Sequence, residues 1–233
     1  MYRQLMFWAV LLLMPFYAAA DVAVIGTRAV YPGDAPLIEV NTVNRGKKPA
    51  LVQAWVENGK DGGQEVPFVL TPPLSRVEGG REQVLRIVYT GEPLPQDRES
   101  LFYLNVMEIP PKQPGSAGKN MLNLSFTHRL KFFYRPAGLA YPVYEAYGKV
   151  KWRRQGRELL AENPTPYYLT FSFVGTEKDG RTVAVQDTAM IGPFASHTFR
   201  LRGDAAAGGK VKWEVINDYG GFVLKEAALP EKN

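Results

Sequence analysis

The side chains that most often carry chemistry are few in this sequence. There are two histidines, His128 and His197, and no cysteine. Without cysteine there is no disulfide scaffold, thiolate zinc site, iron–sulfur cluster or cysteine nucleophile. Two histidines so far apart do not suggest a His-built metal site or a catalytic triad, and neither lies in a recognisable motif. A hydrolase needs a base beside a nucleophile, or two carboxylates facing across a cleft. Asp97 and Glu99 are close, but Arg98 stands between them and an ion-pair network is the plainer reading. Gly59, Gly62 and Gly63 fall in a polar turn rather than between a strand and a helix, so no phosphate-cradling loop is read there. A carboxylate glycosidase with acids on distant strands stays open. The expectation is a protein that is not an enzyme and carries no metal or cofactor.

What remains is a pattern of short apolar runs. The chain has 233 residues, 45% of them apolar, with 22 glycines, 18 prolines and a net charge of +5. Alternating runs at Val22–Val30, Leu37–Val43, Leu51–Val56, Val84–Tyr89, Leu101–Met107 and Met121–Tyr134 are separated by turn residues such as Pro32-Gly33-Asp34 and Asn44-Arg45-Gly46. Period-2 runs at this spacing predict a β-sandwich of about one immunoglobulin-like domain. Arg135 to Pro142 holds two prolines and a glycine and reads as a connector. Weaker strand-like pieces follow at Lys149–Trp152, Tyr167–Val174, Arg181–Val185, His197–Leu201, Val211–Ile216 and Phe222–Leu224. The predicted organisation is a first domain over 21–137, a connector over 138–142 and a second β-sandwich over 143–233.

Residues 1–20 are set apart. Arg3 is the lone charge, Leu5 to Met14 is apolar, and Ala18-Ala19-Ala20 follows. That is the form of a cleaved secretory signal. The run is too short for a membrane span, which needs about 20 apolar residues. Removing 20 of the 233 residues leaves 213, and losing Arg3 leaves a charge of +4. Export without disulfides points to an enclosed compartment such as a periplasm, with no membrane insertion after cleavage. Basic residues are scattered with no aromatic-interleaved stripe, so nucleic acid is not an expected partner.

One run is unusual. Met121–Tyr134 spans 14 residues, where a strand usually has about five or six. One parity is Leu122, Leu124, Phe126, His128, Leu130, Phe132 and Tyr134. An ordinary core strand is the default reading. The functional alternative is an edge left open to pair with another chain. A Pro- and Gly-rich loop, Pro110 to Gly118, leads into it.

A set of motifs, in order, then resembles the periplasmic chaperones of the chaperone–usher pilus pathway, the PapD-like proteins. They are Thr27-Arg28-Ala29-Val30-Tyr31-Pro32-Gly33, Gln53-Ala54-Trp55-Val56, Thr71-Pro72-Pro73, Leu94 to Asn105, Glu108-Ile109-Pro110-Pro111, Leu130 to Pro136, Glu162 to Tyr168 and Ile216 to Gly221. They are spread over nearly the whole chain after residue 20. The resemblance implies two immunoglobulin-like domains in an L-shaped (boomerang) arrangement. It implies a chaperone that binds, folds and caps pilus subunits by donor-strand complementation, the mechanism known for that family, and passes them to an outer-membrane usher.

It also implies roles for residues. Arg28 and Lys131 would bind the C-terminal carboxylate of a subunit. Leu122, Leu124 and Phe126 would fill a groove in the subunit. Glu99, Arg135 and Asp218 would form an interdomain ion-pair network. Lys131 has the opposite parity to Leu122, Leu124 and Phe126. The expectation is therefore a bulge or strong twist between Phe126 and Lys131, or two faces serving two tasks. The short loop before the long run resembles the subclass that serves rod-like pili. Two rival readings are a structural pilus subunit and a secreted carbohydrate-binding β-sandwich. The pilus type, the usher surface and self-association of the free protein stay open.

Overall fold

The structure is a computed structural model and describes residues 21–59, 65–109, 125–203 and 209–229. The first half holds β1 (Val22–Val24), β2 (Arg28–Pro32), β3 (Ile38–Asn44), β4 (Ala50–Glu57), β5 (Phe68–Thr71), β6 (Leu74–Val77), β7 (Glu82–Tyr89), β8 (Ser100–Ile109) and β9 (Phe126–Arg135). A single helical turn, α1 (Val143–Ala146), follows. The second half holds β10 (Lys151–Gln155), β11 (Glu158–Glu162), β12 (Leu169–Lys178), β13 (Arg181–Ala184), β14 (Met190–Ile191), β15 (Ser196–Arg200), β16 (Lys210–Ile216) and β17 (Phe222–Ala228).

These strands form two sandwiches. In the first, a sheet of order β1-β3-β7-β5 packs on one of order β2-β9-β8-β4-β6. In the second, β10-β11-β15 packs on β13-β12-β16-β17, with β14 on β12. Alternation in sequence becomes alternation in burial. On β9, Leu130, Phe132 and Tyr134 are buried in the first core with Tyr31, Leu85, Ile87 and Leu104. The second core gathers Trp213, Tyr167, Phe171, Leu159 and Leu201. Each fully buried side chain of this size contributes roughly 1.5–3 kcal/mol, and no disulfide adds to it.

The run read as one strand over Val22–Val30 is two. Gly26 has a φ of 107°, a left-handed conformation that glycine adopts without steric cost. The chain turns there and changes sheets, so β1 pairs with β3 and β2 runs parallel to β9. The register of that parallel pair places Arg28 opposite Lys131.

Candidate functional site

The two domains meet where the outer face of β9 looks toward the second sandwich. The odd-numbered side chains of β9 point away from the first core, and each finds something different. Phe133 lies against the Tyr168 ring, centroids 5.6 Å apart. Arg129 pairs with Glu57 at 2.8 Å and lies 3.7 Å from the Tyr103 ring centroid. Arg135 and Lys131 both reach across to the second domain.

Arg135 meets two carboxylates. Its Nε donates to Glu99 at 2.7 Å, while Nη1 and Nη2 donate to the two oxygens of Asp218 at 2.7 and 3.0 Å. Turns shaped by buried or half-buried asparagines position these groups. The Asn217 side-chain oxygen accepts from the Tyr219 and Gly221 amides, which fixes the turn that carries Asp218. The Asn163 side chain donates to the Tyr167 and Gly192 carbonyls and accepts from Thr165. That turn delivers the Tyr168 amide to the second oxygen of Glu99 at 2.8 Å and the Pro166 carbonyl to the Glu99 amide at 2.9 Å. Only 2% of the Glu99 side chain is exposed. Burial raises its carboxyl above the ordinary range, against the pull of Arg135 and the Tyr168 amide. Burial works against the charge on Arg135, but the hydrogen bonds to Asp218 and the charge of Glu99 outweigh it and hold the guanidinium above its usual value.

Arg28 and Lys131 are treated differently. Arg28 Nη1 donates to the backbone carbonyl of Ile216 at 3.0 Å, and its Nε is buried without a hydrogen-bond partner. Lys131 Nζ has the Thr170 hydroxyl at 3.4 Å. Neither cation makes a salt bridge among the described residues. Burial lowers both below their ordinary values, and for Lys131 the charge of Arg28 adds to it. Asp218 and Glu99 pull Arg28 the other way but do not restore it. Among the described residues the junction therefore joins three cations, Arg28, Lys131 and Arg135, to two carboxylates, Glu99 and Asp218, a surplus of one positive charge. Beside them, burial and then Asp218 push the Tyr147 hydroxyl up to about 12, so it adds no negative charge at neutral pH.

A second feature lies on the same strand. β2 pairs with β9 only over Lys131–Arg135. From Phe126 to Leu130, β9 has β8 on one side and no described strand on the other. Phe126 opens this free edge and is 44% exposed. Leu122 and Leu124 lie outside the described residues. The register of β9 against β8 is uninterrupted from Phe126–Glu108 to Tyr134–Ser100. The bulge expected between Phe126 and Lys131 is absent, and the two parities of one regular strand face two different environments.

The expected site residues are thus brought together in two groups. One is Arg28 with Lys131, and the other is Glu99, Arg135 and Asp218. Thr170, the Ile216 carbonyl and Tyr147 join them without any signal in the sequence. A backbone carbonyl has no side-chain signature, and Thr170 and Tyr147 sit in ordinary strand and turn sequence. The histidines stay apart. His128 Nε2 bonds the Val22 carbonyl at 2.8 Å, and the His197 ring meets Phe199, centroids 4.6 Å apart. Asp97 pairs with Arg98 at 2.7 Å on the surface.

Comparison with known proteins bears on the whole chain. The family described as pili and flagellar-assembly chaperone, PapD N-terminal domain, matches residues 21–140, and the pili assembly chaperone PapD C-terminal domain matches 145–227. A relative named probable fimbrial chaperone YadV, from Escherichia coli K12, is 40% identical over 90% of each chain. The crystal structure of the Pseudomonas aeruginosa CupB2 chaperone superposes with a TM-score of 0.77 at 37% identity, covering 89% of this chain and 100% of the other. A Salmonella enterica structure of the SafA pilin in complex with the SafB chaperone gives a TM-score of 0.77 at 30% identity, covering 91% and 97%.

Proposed function

We propose that this chain, which belongs to the PapD-like family of pili assembly chaperones, holds a pilus subunit by its C-terminal carboxylate between Arg28 and Lys131. It is a pilus-subunit chaperone of the chaperone–usher type. The rival readings, a carbohydrate-binding sandwich or a structural pilus protein, are not favoured by its relatives. The observation that carries the clamp is the surplus of one positive charge at the junction. Two cations sit in register without a carboxylate, and one incoming carboxylate supplies the missing charge. Each charge-assisted hydrogen bond so formed contributes about 1.5–3 kcal/mol. A free carboxylate marks a chain end, so the clamp reads a terminus rather than a sequence.

The free edge of β9 offers a pairing place to the rest of the subunit. Its unpaired N–H and C=O groups accept an added strand. Leu122, Leu124 and Phe126 are the side chains proposed to enter the groove of the subunit. Three buried apolar residues contribute roughly 5–9 kcal/mol before ordering costs. Because Lys131 is on the other parity, groove filling and carboxylate binding do not compete for one face. Delivery to an outer-membrane usher and residence in the periplasm complete the reading. The test is co-purification from a periplasmic extract with a co-expressed subunit. Arg28→Ala and Lys131→Ala should each stay folded and lose the complex. Normal recovery of the complex would refute the clamp.

A further inference from the structure

The outer face of the β16–β17 ribbon is apolar where it begins. The core side of this ribbon is taken by Val211, Trp213, Val215, Val223 and Ala227. The opposite parity carries Ile216 paired with Phe222 and Glu214 paired with Leu224. Phe222 is 65% exposed, Leu224 62%, and Tyr219, in the connecting turn, 95%. The apolar strip ends at the Lys210–Glu226 ion pair, 2.7 Å long, further along the ribbon. Glu214, which pairs with Leu224 on this face, accepts a hydrogen bond from the Ser172 hydroxyl at 2.6 Å, so its carboxylate is turned toward β12.

This strip is continuous with the cation pair. Ile216 gives its carbonyl to Arg28, and its neighbour across the ribbon is Phe222. The turn bearing Tyr219 packs closely against Thr27, which immediately precedes Arg28. Gly220 has a φ of 82°, and a Cβ there would come within 2.6 Å of the Thr27 hydroxyl. The strip and the clamp therefore touch across the domain boundary, through Thr27 with Gly220 and Arg28 with the Ile216 carbonyl. A chain end held at Arg28 would lie beside this strip, because the Ile216 carbonyl that meets Arg28 belongs to the residue paired with Phe222.

We infer that Tyr219, Phe222 and Leu224 form a second contact surface for the pilus subunit, touching the folded body of the subunit whose carboxylate Arg28 and Lys131 hold. This rests on the clamp reading and adds to it a way of telling a folded subunit from a bare C-terminal peptide. Apolar area removed from water is the driving force, and burying two large side chains is enough to change affinity by an order of magnitude.

The probe is a pilus subunit co-expressed with the full chaperone in the periplasm, and beside it a synthetic peptide of that subunit's last residues. The full chaperone carries Phe222→Ser with Leu224→Ser. Both side chains are largely in water, so thermal unfolding should not shift. The double variant should bind the folded subunit about tenfold or more weakly and the peptide unchanged. Arg28→Ala should lose both. A double variant that binds the folded subunit as tightly as wild type, while Arg28→Ala fails, overturns the second surface and leaves the clamp standing. Wild-type binding by Arg28→Ala overturns the clamp itself. A double variant that loses only self-association assigns the strip to a second copy of the chain and also overturns the inference.

Discussion

Arg135 and the Arg28–Lys131 pair look into the same junction and are met in opposite ways. Arg135 is held by two carboxylates in a bidentate and a single contact, and its guanidinium is held above its ordinary value. Arg28 and Lys131 have a carbonyl and a hydroxyl, and burial holds both below theirs. The difference separates two uses of a buried cation. Where the fold needs one to hold its own parts, it supplies the anions. On the proposed reading, Arg28 and Lys131 are kept for a visitor: the fold leaves the anion out and bears the desolvation cost in the free protein. Burial is similar and pairing is not, and that contrast is what the proposed clamp rests on.

The comparison is tested hardest by removing each cation and measuring stability. Arg135→Ala strands two carboxylates, one of them almost wholly buried, and removal of one partner from a buried ionic group costs about 3–5 kcal/mol. Urea denaturation should show a loss of this size. Replacing all three members, Glu99→Gln with Arg135→Met and Asp218→Asn, should recover most of it, because no charge is then left unpaired. Arg28→Ala removes a half-buried cation that has no carboxylate, and should cost less than about 1 kcal/mol. Equal losses for Arg135→Ala and Arg28→Ala would erase the distinction between the two groups.

A smaller effect, in binding rather than stability, follows from Lys131. Its ammonium is held below the ordinary lysine value by burial and by Arg28. A bound carboxylate favours the charged form and raises that value in the complex. Binding therefore takes up a proton between the free and the bound values. Affinity is full below the lowered free value and falls as pH rises through it, approaching tenfold per pH unit. Lys131→Arg, whose guanidinium keeps its charge, should flatten the profile. The check is to titrate the affinity for a peptide of a pilin's last residues between neutral pH and the usual lysine range. A flat wild-type profile would show that Lys131 does not meet the carboxylate.

Much of this arrangement is legible in the amino-acid sequence, and the parts that are not have physical reasons. The alternation of Leu101–Met107 and of Leu130 to Tyr134 announces β8 and the core half of β9, because one side of each strand faces a dry core. Glu158–Glu162 gives no such signal. Its inward residues are Leu159 and Ala161, its outward Leu160 is as apolar as they are, and the alternation is masked. β5 and β6 are four residues each and flank Pro72-Pro73, so they read as turn. The break at Gly26 is hidden by apolar residues on both sides of it. The meeting of Glu99, Arg135 and Asp218 spans both domains, and only the family motifs point to it. The opposite parities of Phe126 and Lys131 suggest a bulge only if one face must serve one partner. The register is regular instead: the even row turns to the core and runs out at the free edge, while on the odd row Lys131, Phe133 and Arg135 address the second domain.

The gentlest probe of the comparison uses a third cation on the same face. Arg129 is two residues from Lys131 on β9 and points the same way, but it is answered, by Glu57 at 2.8 Å and by the Tyr103 ring, and its side chain is 45% exposed. An exposed ion pair contributes about 0.2–1 kcal/mol, and an exposed cation–π contact is of similar size. Arg129→Ala should therefore cost at most about 2 kcal/mol in unfolding. It removes one positive charge from the face, as Lys131→Ala does, yet should leave affinity for the pilin within about twofold, because that charge is exposed and already answered by Glu57. Isothermal titration of the two variants side by side compares them directly. If Arg129→Ala weakens binding as much as Lys131→Ala, the face attracts its partner by total charge. The absence of an answering carboxylate at Arg28 and Lys131 would then carry no meaning.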